Sequence, residues 1–188
     1  MPRATWFCVD IECSGPVPGL YDMVSLGAVA VSGGDGSPFV IGETFYVEIR
    51  PTAPRFDARA MAVNGLDFER LKREGQPLPE ALEALSDWVA ANTAAGSRPV
   101  FVGHNAPFDW SFVNHAYHAH ELPNPFGYKA LDTKALAMGV LGLHWFDANK
   151  EVLAEQLDLP PVVTEKVHRA DYDAWYQAHI LIRLLERS

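Results

Sequence analysis

Two carboxylates, Asp10 and Glu12, stand two residues apart in the segment ATWFCVDIE (4–12). Alternate residues of an extended chain share a face, so both acids point the same way. Like charges so placed repel unless a cation lies between them. The pair therefore calls for a metal or a catalytic task, and the plain alternative is a strand end where both acids are solvated. A third acid, Asp109, falls in VGHNAPFDWSFV (102–113), in the first turn of a predicted helix that follows a buried strand. Acids suit helix starts for dipole reasons, but the strand-to-helix switch is also where ligand sites gather in α/β sheets. The remaining candidates lie in HRADYDAWYQAHIL (168–181). His168 and Asp173 are five residues apart, a rotation about 140° beyond a full helical turn, so they cannot share one face of a helix. His168 is expected on the preceding loop and Asp173 in the first turns. Ala170 and Ala174 are small enough for close packing beside the site. Asp171 reads as a helix cap or a solvated residue.

Carboxylate oxygens on a rigid scaffold suit hard cations such as Mg²⁺ or Mn²⁺. Two such ions about 4 Å apart would clamp the attacking and leaving oxygens of a phosphodiester. A histidine, with an unperturbed pKa of about 6.5, can take a proton from the attacking water near neutral pH. No cysteine–histidine set has zinc spacing, and no serine–histidine–acid set stands out.

The elements that must position these groups follow from patterning. Strands are predicted over 4–12, 24–32, 39–49, 98–105 and 128–132, with GGDGSP (33–38) as a turn. The first three are joined by short connections and read as an antiparallel meander. Helices are predicted over 57–65, which ends at Gly65, and over 78–95, where Leu82, Leu85, Trp88 and Val89 fall at helical spacing. Others follow from Pro107 to His120, over 133–142, over 149–159 and over 170–187. Three strands, then helices alternating with strands, give a mixed α/β fold with a part antiparallel, part parallel sheet. Without repeats, low-complexity tracts or a linker, residues 1–188 read as one domain. Trp145 and Phe146 are expected in a satellite core cluster. His104, His115, His118 and His120 read as surface or packing residues, and His179 as structural.

The chain has 188 residues, 48% of them hydrophobic, a net charge of −9 and a pI of about 5.1. It is long enough for a substantial core and has no apolar run that would span a membrane. Cys8 and Cys13 point to opposite faces of a strand, which argues against a disulfide and, without an export signal, for the cytoplasm. The acidity tells against gripping a long duplex. Bound dications would reverse the local charge, and Lys129, Lys134, Lys150, Lys166 and Arg169 fall in the half that flanks the acids. The expected ligand contacts few phosphates.

VDIECSGP, GHNAPFDWSFV and HRADYDA, in this order and at these separations, resemble the three motifs of the DEDDh 3′→5′ exonucleases. The likeness covers nearly the whole chain. It implies an RNase H-like fold with a mixed five-stranded sheet, a two-metal mechanism using Mg²⁺ or Mn²⁺, and 3′→5′ polarity. Asp10, Glu12, Asp109 and Asp173 would hold the metals and His168 would be the base. It also implies that the backbone at Cys13 and Ser14 meets the terminal nucleotide and that Asn105 orients the second motif. Met61, Val63 and Asn64, in AMAVNGLD (60–67), would contact the terminal base. NGLD and NPF–LDT–LA look most like RNase T, although Val63 stands where RNase T-like chains carry a stacking aromatic. Phe126 would be a stacking residue, or a core residue. The implied substrate is single-stranded RNA or DNA with a free 3′ end, RNA favoured, and the implied assembly a homodimer. A DNA proofreading or repair exonuclease, an endonuclease of the same general fold and a non-catalytic nucleic-acid-binding adaptor are the other readings.

Overall fold

The computed structural model describes residues 3–34 and 36–188. Five strands form one sheet in the order β3-β2-β1-β4-β5. β1 (Arg3–Cys13), β2 (Met23–Gly34) and β3 (Ser37–Glu48) are the antiparallel meander, while β4 (Ser97–Gly103) pairs parallel to β1 and β5 (Ala130–Asp132) parallel to β4. This is the mixed sheet expected from the sequence, with each strand found in its predicted place.

Alternation along the central strand β1 sorts the sheet's two faces. Phe7, Val9, Ile11 and Cys13 enter one core with Leu82, Leu85 and Val89 of α3 (Leu78–Asn92) and Phe112 and Val113 of α4 (Pro107–Ala119). Cys8 turns to the other face, where it packs with Val29, Val102 and Ala174, Ala178 and Leu181 of α7 (Ala170–Leu185). The two cysteines are free and buried on opposite faces. Asp10 and Glu12 share the α7 face, so the helix that covers it must accommodate two acids.

The other helices start at polar caps, as their sequences dictate. Asp57 caps α1 (Ala58–Asn64), which ends at Gly65 with φ 68°. Asp132 caps α5 (Thr133–Leu141) and Asn149 caps α6 (Lys150–Gln156). The sequence reading omitted α2 (Phe68–Glu74), a two-turn helix capped by Asp67 that buries Phe68 and Leu71. Trp145 and Phe146 depart from expectation. Phe146 is 76% exposed and Trp145 is covered by the Lys134 ammonium rather than by a core. Among the described residues, no helix is long and apolar enough to cross a membrane.

Candidate active site

The four predicted acids converge at the C-terminal end of β1. Parallel pairing of β1 with β4 ends at Cys8 and Val102. Beyond it, the free N–H of Ile11 donates to Asp109 Oδ1 at 3.1 Å, which ties α4 to β1 beside Asp10. Gln177, one turn beyond Asp173 on α7, donates through Nε2 to Asp10 Oδ1 at 2.7 Å. His168 donates its backbone N–H to Asp173 Oδ2 at 2.8 Å, and Lys150 Nζ lies 2.8 Å from Asp173 Oδ1. Donor atoms of Glu12, His168 and Asp173 lie within 4.8 Å of one another, a spacing one metal ion could span.

Local backbone geometry sets these positions. His168 lies two residues before α7 with φ 66°, a left-handed conformation uncommon for a residue with a side chain, and the Asp173 carboxylate fastens it. Asn105 is likewise left-handed, with φ 64°. Its N–H donates to Asp132 Oδ1 at 2.9 Å, and the same oxygen caps α5 through Lys134 N–H. One carboxylate thus fixes the turn into α4 that carries Asp109. Gly27, opposite Asp10 on β2, lies directly beneath the Ala170 carbonyl and Asp171 N–H, and a Cβ there would collide with that backbone. Its missing side chain lets α7 enter close to Asp10.

The electrostatics register the crowding. Burial, then the charges of Asp109, Asp173 and Glu12, raise the Asp10 pKa well above the usual range. Burial, then Asp173 and Asp109, push Glu12 up to about 8. Burial pushes Asp109 up to about 7 against the help of the Ile11 N–H. Three acids that resist ionisation at one spot fit a site built for divalent cations, whose charge would make the ionised forms tolerable.

A family model for the 3′-5′ exoribonuclease Rv2179c-like domain matches residues 5–185. The chain belongs to this family. It is 35% identical to the 3′-5′ DNA exonuclease Cap18 of Escherichia coli over 95% of the chain and 90% of that protein. It is 30% identical to ribonuclease T of Marinobacter nauticus over 95% of the chain and 81% of that protein. Among solved structures, the nuclease domain of 3′hExo, a DEDDh family member bound to rAMP, superposes with a TM-score of 0.77 at 14% identity, covering 97% of this chain and 91% of that one. Escherichia coli exonuclease I in complex with a dT13 oligonucleotide gives 0.73 at 15% identity over 98% and 42%. The fold is thus the RNase H-like fold of the DEDDh enzymes, and the chain is an exonuclease, a hydrolase of phosphodiester bonds.

The residues expected at the terminal nucleotide divide into two groups. Cys13 and Val63 line a cavity of about 310 Å³ together with Glu12, Gly15, Pro16, Asp57 and Phe108. Val63 is 55% and Phe108 38% exposed, so apolar surface is available beside the acids. Phe108, Pro16 and Asp57 were not expected at the site, though the position of Phe108 next to Asp109 was a usable signal. The others are committed elsewhere. Ser14 is buried, with its N–H, carbonyl and hydroxyl all bonded within the protein. Met61 is buried with Val24, Phe68 and Leu71, and Asn64 holds the Cys13 carbonyl through Nδ2 at 3.3 Å. Phe126 sits in the core, edge-on to Phe7 and Phe101.

Two further readings change. Asp171 is neither a cap nor freely solvated, because one oxygen pairs with Arg169 at 2.9 Å and the other is buried with no partner among the described residues. No side chain caps α7, and Asp173 instead reaches back to the N–H of His168, two residues ahead of the helix. His104 is a packing residue as expected; it bonds Thr133 Oγ1 at 3.0 Å, and burial, then the Lys150 charge, lower its pKa to about 4.

These shifts predict how stability depends on pH without metal. Acids whose folded pKa exceeds the unfolded value stabilise the fold below about pH 4, and that contribution is lost as pH rises through the folded pKa. With Glu12 at about 8 and Asp109 at about 7, the Tm in EDTA should fall between about pH 5 and 8. A divalent cation such as Mn²⁺, held at saturation by the ionised acids, would remove most of the decline. Thermal melts at three pH values check this, and a metal-free Tm that climbs over the window contradicts it.

Proposed function

We propose that the chain, folded as a single exonuclease domain, removes nucleotides from the 3′ end of short or single-stranded nucleic acid in the cytosol, RNA ahead of DNA. The reaction would use two divalent cations, Mg²⁺ or Mn²⁺, held by Asp10, Glu12, Asp109 and Asp173. The observation that supports this reading is the clustering of those acids, with His168 close to Glu12 and Asp173, where Glu12 also lines an apolar cavity large enough for a nucleobase. The cations would polarise the scissile phosphodiester and lower the pKa of the attacking water. Each residue then has a task. His168 accepts the water's proton, and its left-handed backbone and Asp173 anchor hold it at the metal side. Gln177 orients Asp10, and Ile11 N–H orients Asp109. Phe108 and Val63 face the terminal base, Cys13 forms the floor, and Asn105 sets the turn into α4.

The flanking cations resolve into distinct roles. Lys134 rests 4.5 Å from the Trp145 ring and Lys129 5.2 Å from Tyr128, whereas Lys166 and Arg169, the latter paired with Asp171, line an open groove of about 340 Å³ over Tyr172 and Trp175. That modest basic surface suits a few phosphates of a single strand better than a duplex.

Phe108→Ala should lower kcat/KM on oligonucleotides by about 10- to 100-fold, since stacking on an aromatic is worth about 1–3 kcal/mol per base. An unchanged kcat/KM would remove Phe108 from the substrate site.

RNA rests on the whole-chain match to an exoribonuclease domain and the likeness to ribonuclease T. DNA is the second reading, favoured by the 35% identity to a DNA exonuclease. Degradation ladders on 3′- and 5′-labelled RNA and DNA strands, with Mn²⁺ and with EDTA, decide both points. The expected result is stepwise shortening from the 3′ end, faster on RNA and absent in EDTA. Cleavage of circular single strands would show an endonuclease. The homodimer belongs to the same proposal, and a monomer in sedimentation equilibrium would remove it.

A further inference from the structure

Lys150 was one of five cations expected merely to flank the site, but the fold places it inside. It opens α6, whose Leu153 packs with Ala148 and Leu157 against Tyr176, Ile180 and Leu184 of α7. The lysine backbone is thereby fixed beside the helix that carries Asp173. Its ammonium lies 2.8 Å from Asp173 Oδ1 with the side chain one-third exposed. With His168 N–H on Oδ2, both Asp173 oxygens are engaged.

We infer that Lys150 is a tethered counter-ion that competes with divalent metal at Asp173, so that loading the active site requires the lysine to withdraw. The inference rests on the metal-dependent reading above. An ammonium at hydrogen-bond distance from a carboxylate and a dication on that carboxylate repel, so each weakens the other's hold on it. In the metal-free protein Lys150 offsets part of the repulsion among the acids. In the loaded protein its side chain is released. The lysine thus raises the metal concentration the enzyme needs, and a metal-poor cell would hold the enzyme folded but idle.

The test is Mn²⁺ titration calorimetry on wild type, Lys150→Met and Lys150→Arg. Methionine keeps the unbranched shape and helix propensity without the charge. Lys150→Met should bind Mn²⁺ at least about fivefold more tightly, as expected when a competing cation is deleted. Lys150→Arg should stay near wild type. Equal or weaker Mn²⁺ binding by Lys150→Met would overturn the inference and make the lysine a mere support for Asp173. Absence of binding heat in all three proteins would sink the metal reading itself, and the inference with it. A second measurement needs no variant. Amine-reactive labelling of wild type, read by mass spectrometry, should find Lys150 protected in EDTA and at least about threefold more reactive with saturating Mg²⁺. Unchanged reactivity would also overturn the inference.

Discussion

Asp173→Asn is expected to lower kcat by about 10³-fold or more at saturating Mn²⁺, a loss of about 4 kcal/mol in transition-state stabilisation. The carboxylate does three things that an amide cannot do together. It contributes negative charge to the proposed metal site, accepts the His168 N–H at 2.8 Å and meets the Lys150 ammonium at 2.8 Å. An asparagine oxygen can still accept the His168 N–H, so the loop before α7 should keep its course. Removing one charge from a crowded acidic cluster also relieves repulsion. The variant's metal-free Tm should therefore match or exceed that of wild type, while its stabilisation by Mn²⁺ should shrink. This opposition of activity and stability separates a functional acid from a structural one. Single-turnover kinetics and paired melts measure both. Activity within about tenfold of wild type would mean that Asp173 is not a metal ligand.

Gly27→Ala should be nearly as damaging, although Gly27 bears no functional group. A Cβ at this position would meet the backbone of Ala170 and Asp171, which cannot rotate away as a side chain could. Relief requires moving the start of α7 off β2, and that movement carries His168 and Asp173 away from Asp10. Overpacking of this kind costs about 1–3 kcal/mol of stability. A displacement of about 1 Å in a catalytic constellation costs about 10²-fold in rate. Assayed well below its lowered Tm, Gly27→Ala should show this loss mainly in kcat, since the cavity lined by Val63 and Phe108 is built from other elements. A normal kcat would show that α7 can shift without disturbing the site.

Gly27 also illustrates what the sequence could not reveal. Its neighbours VSLGAVAVS read as an ordinary strand, and nothing local indicates that a helix more than 140 residues later will lie on that glycine. Gln177 escaped notice, and Lys150 was expected only to flank the site, for the same reason, because their meaning lies in long-range contacts with Asp10 and Asp173. What was legible depended on period. The two-residue spacing of Asp10 and Glu12 placed both on one face of β1, and the five-residue spacing of His168 and Asp173 correctly put the histidine outside the helix. The strands and the longer helices followed from hydrophobic patterning. Two-turn α2 was too short to express a period, though Asp67 ahead of Phe68 and Leu71 was a cap signal. Asp171 misled because a carboxylate at a helix start is usually a cap, whereas here it pairs with Arg169 and α7 has no side-chain cap. Phe126 fell to the core because aromatic neighbours surround it, a circumstance invisible in NPF alone.

Crystals soaked in Mn²⁺, with diffraction recorded at the manganese edge, put the proposed chemistry to its hardest test. Two anomalous peaks about 4 Å apart should appear among Asp10, Glu12, Asp109 and Asp173, with Lys150 withdrawn from Asp173. A map without manganese at those four side chains, from protein that still degrades a 3′-labelled strand, would mean that the acids serve some other chemistry.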